Sequence, residues 1–241
     1  MTDTSTDSID LSAIRVALIG AGNMGGPVGR TMLDAGVRPE NLRIANSSPA
    51  SSERAAEELG ATAAASRAEA IEGADVVVLG VKPYQILDLV AELRDDLPDG
   101  AVVLSLAAGT TLAQIQDALP SDAAVARAMP NTPISVGEGA VGLMRGDAVS
   151  DEQHALLHAL FSSAGVAVDI TEEQVHAFIG TAGSMPAFVF TIIEAMTTID
   201  RASIKVWFRP ARMVRIARGS CRSQSICQRV DPNDCAASIR S

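Results

Sequence analysis

The run Ile14-Arg15-Val16-Ala17-Leu18-Ile19-Gly20-Ala21-Gly22-Asn23-Met24-Gly25 carries an apolar strand directly into a glycine turn that opens a helix. In Gly20-Ala21-Gly22-Asn23-Met24-Gly25 the first glycine permits a tight turn. The second lets backbone approach a pyrophosphate, and the third allows the helix to pack close on the strand. A helix N-terminus placed there presents unpaired N–H groups and the positive end of its dipole. Gly26-Pro27 is compatible, because proline is tolerated in the first turn of a helix. The bland reading is an ordinary tight turn. The position after a strand, at the head of an α/β alternation, favours a dinucleotide site.

That alternation continues outward from the turn. Leu42–Ala45, Asp75–Val81 and Val102–Leu106 read as further strands, and the last two are apolar nearly throughout. This is the mark of parallel strands buried on both faces. Between them, Ser51 or Ser52 caps a helix ending at Gly60. Ser66–Glu72, Tyr84–Leu93 and Thr111–Leu119 read as helices, the last stopped by Pro120. The expected fold class is α/β, a Rossmann-type doubly wound parallel sheet. Past residue 150 the pattern shifts: a helix over Asp151–Ala164 with Ser150 as cap, a short strand over Val166–Ile170, then an apolar helical stretch from Thr171 to Met196, interrupted around Gly180–Pro186. The expected organisation is a disordered lead-in (1–12), a dinucleotide-binding domain (13–165), the start of a helical substrate or dimerisation domain (166–196) and an atypical basic tail (197–241).

The chain has 241 residues, 47% hydrophobic and 20% charged, which excludes global disorder. Aromatics are only 3% and the net charge is −10, so base-stacking platforms and a generally basic nucleic-acid footprint are not expected. The sign of the charge reverses along the chain: residues 1–196 are strongly acidic, and 197–241 are basic. All cysteines (Cys221, Cys227, Cys235) and the single Trp207 lie in the basic segment. The Cys221, Cys227 and Cys235 spacing is neither a zinc pattern nor a Cys-x-x-Cys pair. The N-terminus lacks an apolar core and no apolar run approaches the length of a bilayer span, so a cytoplasmic protein without a membrane partner is expected.

The end of the second strand bears on which dinucleotide is held. An acid there would bond the ribose 2′-OH and repel a 2′-phosphate. The sequence instead reads Asn46-Ser47-Ser48-Pro49, with no acid before Glu53 and with Arg43 and Arg54 nearby. This favours NADP(H), with NAD(H) as the alternative. The competing reading is that the serines only form a turn and cap the next helix.

Further segments then combine: Gly80-Val81-Lys82-Pro83, Leu106-Ala107-Ala108-Gly109-Thr110, Arg127-Ala128-Met129-Pro130-Asn131-Thr132-Pro133 with Val136-Gly137-Glu138-Gly139, and Gly183-Ser184-Met185-Pro186-Ala187-Phe188 before Ile193-Glu194-Ala195-Met196. In this order and spacing the chain resembles the pyrroline-5-carboxylate reductases over about residues 14–196. The resemblance implies an enzyme of proline biosynthesis that reduces pyrroline-5-carboxylate, a small-molecule partner, to L-proline. It also implies a Rossmann domain followed by a helical domain that makes a homo-oligomer. It places the pyrophosphate on Gly20, Ala21, Gly22, Asn23 and Met24, and the adenosine ribose near Ser47 and Ser48; the fingerprint and the end of the second strand add Gly25 and Asn46 to the candidate cofactor-binding residues. The nicotinamide lies beside Val81, Lys82, Pro83, Ala107, Ala108 and Gly109. Glu172 and Ser184 fall where the family approaches its substrate or active-site loop, and Lys82 is a candidate general acid. Met185, Phe188, Arg67 and His176 depart from the family's usual residues, and the segment expected after Glu194-Ala195-Met196 is not recognisable.

Imine reduction asks little of side chains. The protonated imine is already electrophilic, and the site must hold it at near-attack distance and exclude water. Each candidate has a bland reading beside the functional one. Lys82 could be a surface lysine, Glu172 a helix N-terminal charge and Asn131 a turn former. His154 and His158 are four apart but show no third ligand in sequence, so no metal is expected. Rival functions are another small imine or 2-hydroxyacid reductase and a non-catalytic dinucleotide-binding fragment.

Overall fold

The computed structural model describes residues 9–203, with side chains to Met196. Contacts divide the chain into a unit ending at Val189 and a second beginning at Phe190. In the first unit the strands are β1 (Val16–Ile19), β2 (Leu42–Ala45), β3 (Thr62–Ala63), β4 (Val76–Leu79), β5 (Val102–Ser105), β6 (Ala124–Pro130), β7 (Gly139–Arg145) and β8 (Gly165–Asp169). The helices are α1 (Gly25–Ala35), α2 (Pro49–Leu59), α3 (Arg67–Ile71), α4 (Ile86–Leu93), α5 (Leu112–Asp117), α6 (Asp151–Leu160), α7 (Val175–Phe178) and α8 (Met185–Ser203), the last passing from one unit into the other.

The strands form one eight-stranded sheet in the order β3-β2-β1-β4-β5-β6-β7-β8. Every neighbouring pair is parallel except β6 and β7. Alternate side chains build a core on each face. Leu18, Val76, Val78 and Leu104 pack with Val28 and Met32 of α1 and Leu157 and Leu160 of α6. Ile19, Val77, Leu79 and Val103 pack with Ile71, Ile86, Leu89, Val90 and Ile115 on the other face. Val76–Leu79 and Val102–Leu104 are apolar, and both strands are buried along their length, because both faces are covered. The doubly wound α/β class is therefore the observed one.

Several expectations need correction. Ordered structure begins before residue 13. Asp10 caps a single turn, Leu11–Ala13, and Leu11 is buried, because an apolar residue beside α1 gains more from burial than the turn costs. The rest of the lead-in, residues 1–8, lies outside the described residues. The boundary at 165 falls inside the sheet: β8 pairs in parallel with β7 from Gly139↔Gly165 to Leu143↔Asp169. The helix before it stops at Leu160 instead of Ala164.

The helical stretch after Thr171 is not interrupted at Gly180–Pro186. A π-helical turn over Ile179–Ser184 carries it into α8, with Pro186 in the first turn of α8. The continuous run Glu172–Met196 spans 25 residues and contains an 18-residue window with a mean hydropathy of 1.4, long and apolar enough to cross a bilayer by length and composition. No uninterrupted apolar run of that length occurs; the helix reaches this hydropathy only as an average over its Gly, Ser and Thr. Its backbone continues in helix to Ser203. The basic tail beyond that residue lies outside the described residues.

Candidate active site

Strand order reverses at β1, which has β2 on one side and β4 on the other. In open α/β sheets the crevice beyond the C-terminal ends of the strands at such a point receives ligands. The loops after β1, β2, β4 and β5 all leave from that edge.

The turn after β1 is fixed by close backbone contacts. Gly20 has φ +98°, and an added Cβ would meet Gly80 C and Val81 N at 2.8 Å. A Cβ on Gly25 would sit 2.0 Å from the Gly20 carbonyl oxygen. These two glycines are required by packing. Gly22 is different: a Cβ there meets nothing within 4 Å. The Gly20 N–H donates to Ala45 O at 2.9 Å and the Ala21 N–H to Asn46 Oδ1 at 2.8 Å. The amides of Gly22, Asn23, Met24 and Gly25 have no protein acceptor among the described residues. Unpaired amides at the start of an eleven-residue helix, with open space over Gly22, suit a pyrophosphate.

The β2–α2 loop is arranged differently from the expectation. Asn46 is committed to the protein: besides accepting from Ala21, its Nδ2 donates to Ser51 O at 2.9 Å. It ties the glycine turn to α2 and does not face outward as a free donor. Ser48 is the N-cap of α2, earlier than the expected Ser51 or Ser52, and its hydroxyl pairs with Ser51. Ser47 is exposed. Arg43 is turned away, its Nη1 donating to Glu69 O and Glu72 O at 3.1 and 3.0 Å.

The loops after β4 and β5 abut. A Cβ on Gly109 would lie 3.6 Å from Pro83 Cβ. Lys82 is exposed and opens the turn Pro83–Gln85, with its N–H on Gln85 Oε1 at 3.3 Å. Ala107 is buried, whereas Ala108 and Gly109 are exposed. Beneath them lies Arg127 of β6, 2% exposed. Its Nη2 donates to Ala107 O at 3.0 Å and Ala108 O at 3.4 Å, and its Nη1 to both Glu172 oxygens at 2.5 and 2.6 Å. Glu172 Oε1 also accepts from the Leu112 N–H, the first of α5, at 2.8 Å. Burial pushes the Glu172 carboxyl up, but the bonds from Arg127 and Leu112 outweigh it and hold the group below its ordinary value. The Glu172 carboxylate is thus engaged by Arg127 and by the first N–H of α5.

Sequence reasoning missed Arg127 as part of the site. The available signal was one charge inside the otherwise apolar Val125-Ala126-Arg127-Ala128-Met129. A buried guanidinium needs acceptors, and two of those found here are loop carbonyls. Asn131, buried, accepts from the Ala140 N–H and donates to Ala182 O, both at 2.8 Å, so it ties the β6 end to the π turn. Ser184 is exposed in that turn. No hydrogen bond joins Lys82, Glu172 and Ser184 to one another among the described residues.

Comparison with known proteins decides what this scaffold belongs to. The pyrroline-5-carboxylate reductase of Escherichia coli is 34% identical over 183 residues, covering 76% of this chain and 68% of the relative. The chain belongs to the pyrroline-5-carboxylate reductase family. That makes it a member of a family of oxidoreductases that act in proline biosynthesis. The solved pyrroline-5-carboxylate reductase from Coxiella burnetii is 27% identical with a TM-score of 0.74, over 95% of this chain and 85% of that one. The Plasmodium falciparum pyrroline carboxylate reductase, solved with NADP bound, is 20% identical with a TM-score of 0.72, over 96% and 86% of the two chains; it shares the fold. Residues 15–109 match the family described as NADP oxidoreductase, coenzyme F420-dependent. The curated reductase is thus matched over about two thirds of its length.

Proposed function

We propose that this chain binds NADP(H) in preference to NAD(H) at the crevice above β1, β4 and β5, and that this crevice is built for reduction of 1-pyrroline-5-carboxylate to L-proline. The observation that carries the reading is the set of unpaired amides from Gly22 to Gly25, with open space over Gly22. The dinucleotide, when bound, supplies the hydride. The protein's part is to hold and orient. Gly20 and Gly25 set the turn so that the amides converge on the pyrophosphate. Asn46 fixes that turn to α2. With no acid before Glu53, the exposed Ser47 and the first turn of α2 tolerate a 2′-phosphate.

Arg127 and Glu172 hold Ala107–Gly109 against Pro83, which gives a firm wall to the nicotinamide side. Lys82 stands at the rim as a cation. The exposed Ser184 offers a hydroxyl to the substrate carboxylate. A homo-oligomer is part of this reading, because α8 exposes Phe188, Val189, Ile192 and Met196.

The second reading is dinucleotide binding with impaired turnover. It is favoured by the departure from the family's sequence after Met196, where the acidic chain turns basic. Mixing the purified chain with NADPH and pyrroline-5-carboxylate separates the two. Loss of nicotinamide absorbance at about 1 per second or faster supports an unimpaired enzyme. Binding of NADPH without turnover supports impairment. No NADPH binding sinks both.

A further inference from the structure

We infer that His154, His158 and Asp169 form a binding site for a divalent transition-metal ion of the zinc class, separate from the dinucleotide crevice. The sequence shows two histidines four apart and no third ligand. The fold supplies the third. His154 and His158 lie on one face of α6, since i and i+4 positions are neighbours on a helix. Asp169 ends β8 directly beside them. The Nε2 atoms of both histidines lie 2.9 Å from the same oxygen, Asp169 Oδ1. The rings meet edge to face at 82°, with centroids 4.8 Å apart. One potential ligand atom from each of the three residues lies within 4.8 Å of the others.

A tetrahedral zinc with ligand bonds of about 2.0–2.2 Å needs donors roughly 3.3 Å apart, so adjustments of side-chain torsions are sufficient. Two imidazoles and a carboxylate favour zinc, copper or nickel over magnesium or calcium, which prefer all-oxygen shells. Metal binding replaces the hydrogen bonds: each imidazole turns an Nε2 lone pair to the ion and carries its proton on Nδ1.

The surroundings suit a cation. The Asp169 carboxyl supplies an oxygen donor placed against both imidazoles. His154 and Asp169 line a cavity of about 430 Å³ together with Glu172 and Arg145. The Arg145 guanidinium is engaged elsewhere, on Asp151 Oδ1 at 2.7 Å and Val149 O at 2.9 Å. With three protein ligands, a tetrahedral ion keeps one position for water or an anion.

Titration of the tag-free full-length chain with Co²⁺, followed by visible d–d absorption and displacement by Zn²⁺, tests the site. A Cys221→Ser, Cys227→Ser, Cys235→Ser background removes tail thiols, whose cobalt complexes would show a thiolate charge-transfer band. Expected are one cobalt per chain in that background, displacement by zinc, and affinity lowered by about a hundredfold or more in His158→Ala, given that even outer-shell losses reach that size. Asp169→Asn, at an exposed side chain, gives an independent loss should His158→Ala misfold by circular dichroism. No cobalt uptake in the thiol-free chain, or affinity unchanged in Asp169→Asn and a folded His158→Ala, overturns the proposal.

Discussion

Arg127 and Glu172, 45 positions apart, meet in a two-oxygen ion pair in which the guanidinium is almost wholly buried and the carboxylate is half-buried. The pair joins the middle of β6 to the start of the helical run after β8, and through the Ala107 and Ala108 carbonyls it supports the loop after β5. Removing Glu172 leaves a buried guanidinium with only the Ala107 and Ala108 carbonyls, since Arg127 Nε has no partner among the described residues.

Glu172→Ala should therefore lower unfolding stability by about 2 kcal/mol, below the usual loss for a fully buried pair because the carboxylate is partly solvated. Urea unfolding measures it, and an unchanged midpoint would contradict the clamp. The pH dependence has a definite sign. The Glu172 carboxyl is held below its ordinary value in the folded chain, so its contribution is full above the ordinary carboxylate range. That contribution disappears as pH falls through the depressed folded value. Glu172→Gln should flatten this part of the acid limb. An identical acid limb would assign the loss to other carboxylates, Asp169 among them.

The glycine turn separates packing from binding. Gly25→Ala drives a Cβ into the Gly20 carbonyl at 2.0 Å and should destabilise the fold. A Cβ on Gly22 meets nothing within 4 Å, so Gly22→Asp should leave the unfolding midpoint nearly unchanged. Its carboxylate faces the space beside the unpaired amides, so NADPH affinity should fall at least about tenfold, or about 1.4 kcal/mol. Fluorescence titration with NADPH reads the effect. A folded Gly22→Asp with unaltered affinity removes this turn from the site.

Cofactor choice is open to a clean test at Ser48. Aspartate is as good an N-cap as serine, so Ser48→Asp should preserve α2 while placing a negative charge at the end of β2. The wild-type chain should bind NADPH more tightly than NADH, and Ser48→Asp should reverse the order. Asn46→Ala should weaken both equally. It orphans the Ala21 N–H and removes the tie to the Ser51 carbonyl, at a cost of about 1 kcal/mol in stability. A wild-type preference for NADH contradicts the reading of the Asn46-Ser47-Ser48 segment.

The legible parts of the fold are those where local pattern and global structure agree. Leu42–Ala45 is found with the bounds read from sequence, and β1, β4 and β5 differ only at their ends. Their apolar runs are long enough to need cover on both faces. β6 and β7 carry little such signal. Ala124, Ala126 and Ala128 alternate with mixed partners, and Gly139 and Gly142 lower the strand propensity of β7; their pairing is a tertiary effect. Gly20 and Gly25 were legible because backbone geometry demands glycine. The partners of Asn46, Glu172 and Asp169 were not, since each is set by another element: α2, β6 and α6. The π turn was misread as a break because Gly180, Gly183 and Pro186 carry the usual signals of one.

The exposed face of α8 yields the remaining expectation. Met185, Phe188, Val189, Ile192 and Met196 recur at helical spacing on one side and are between 42% and 63% exposed. An apolar stripe of this kind is costly in water and drives association. The chain should self-associate as its concentration rises, and Phe188→Asp with Ile192→Asp should shift it toward monomer without lowering the unfolding midpoint of the α/β unit. Sedimentation velocity over a concentration series reads the first effect and urea unfolding the second. Because Glu172–Met196 is also long and apolar enough for a bilayer, co-sedimentation with neutral phospholipid vesicles distinguishes the two fates of the stripe. Self-association without vesicle binding supports an oligomer interface. Vesicle binding by a monomeric chain, lost in the double aspartate variant, would replace it with a membrane contact.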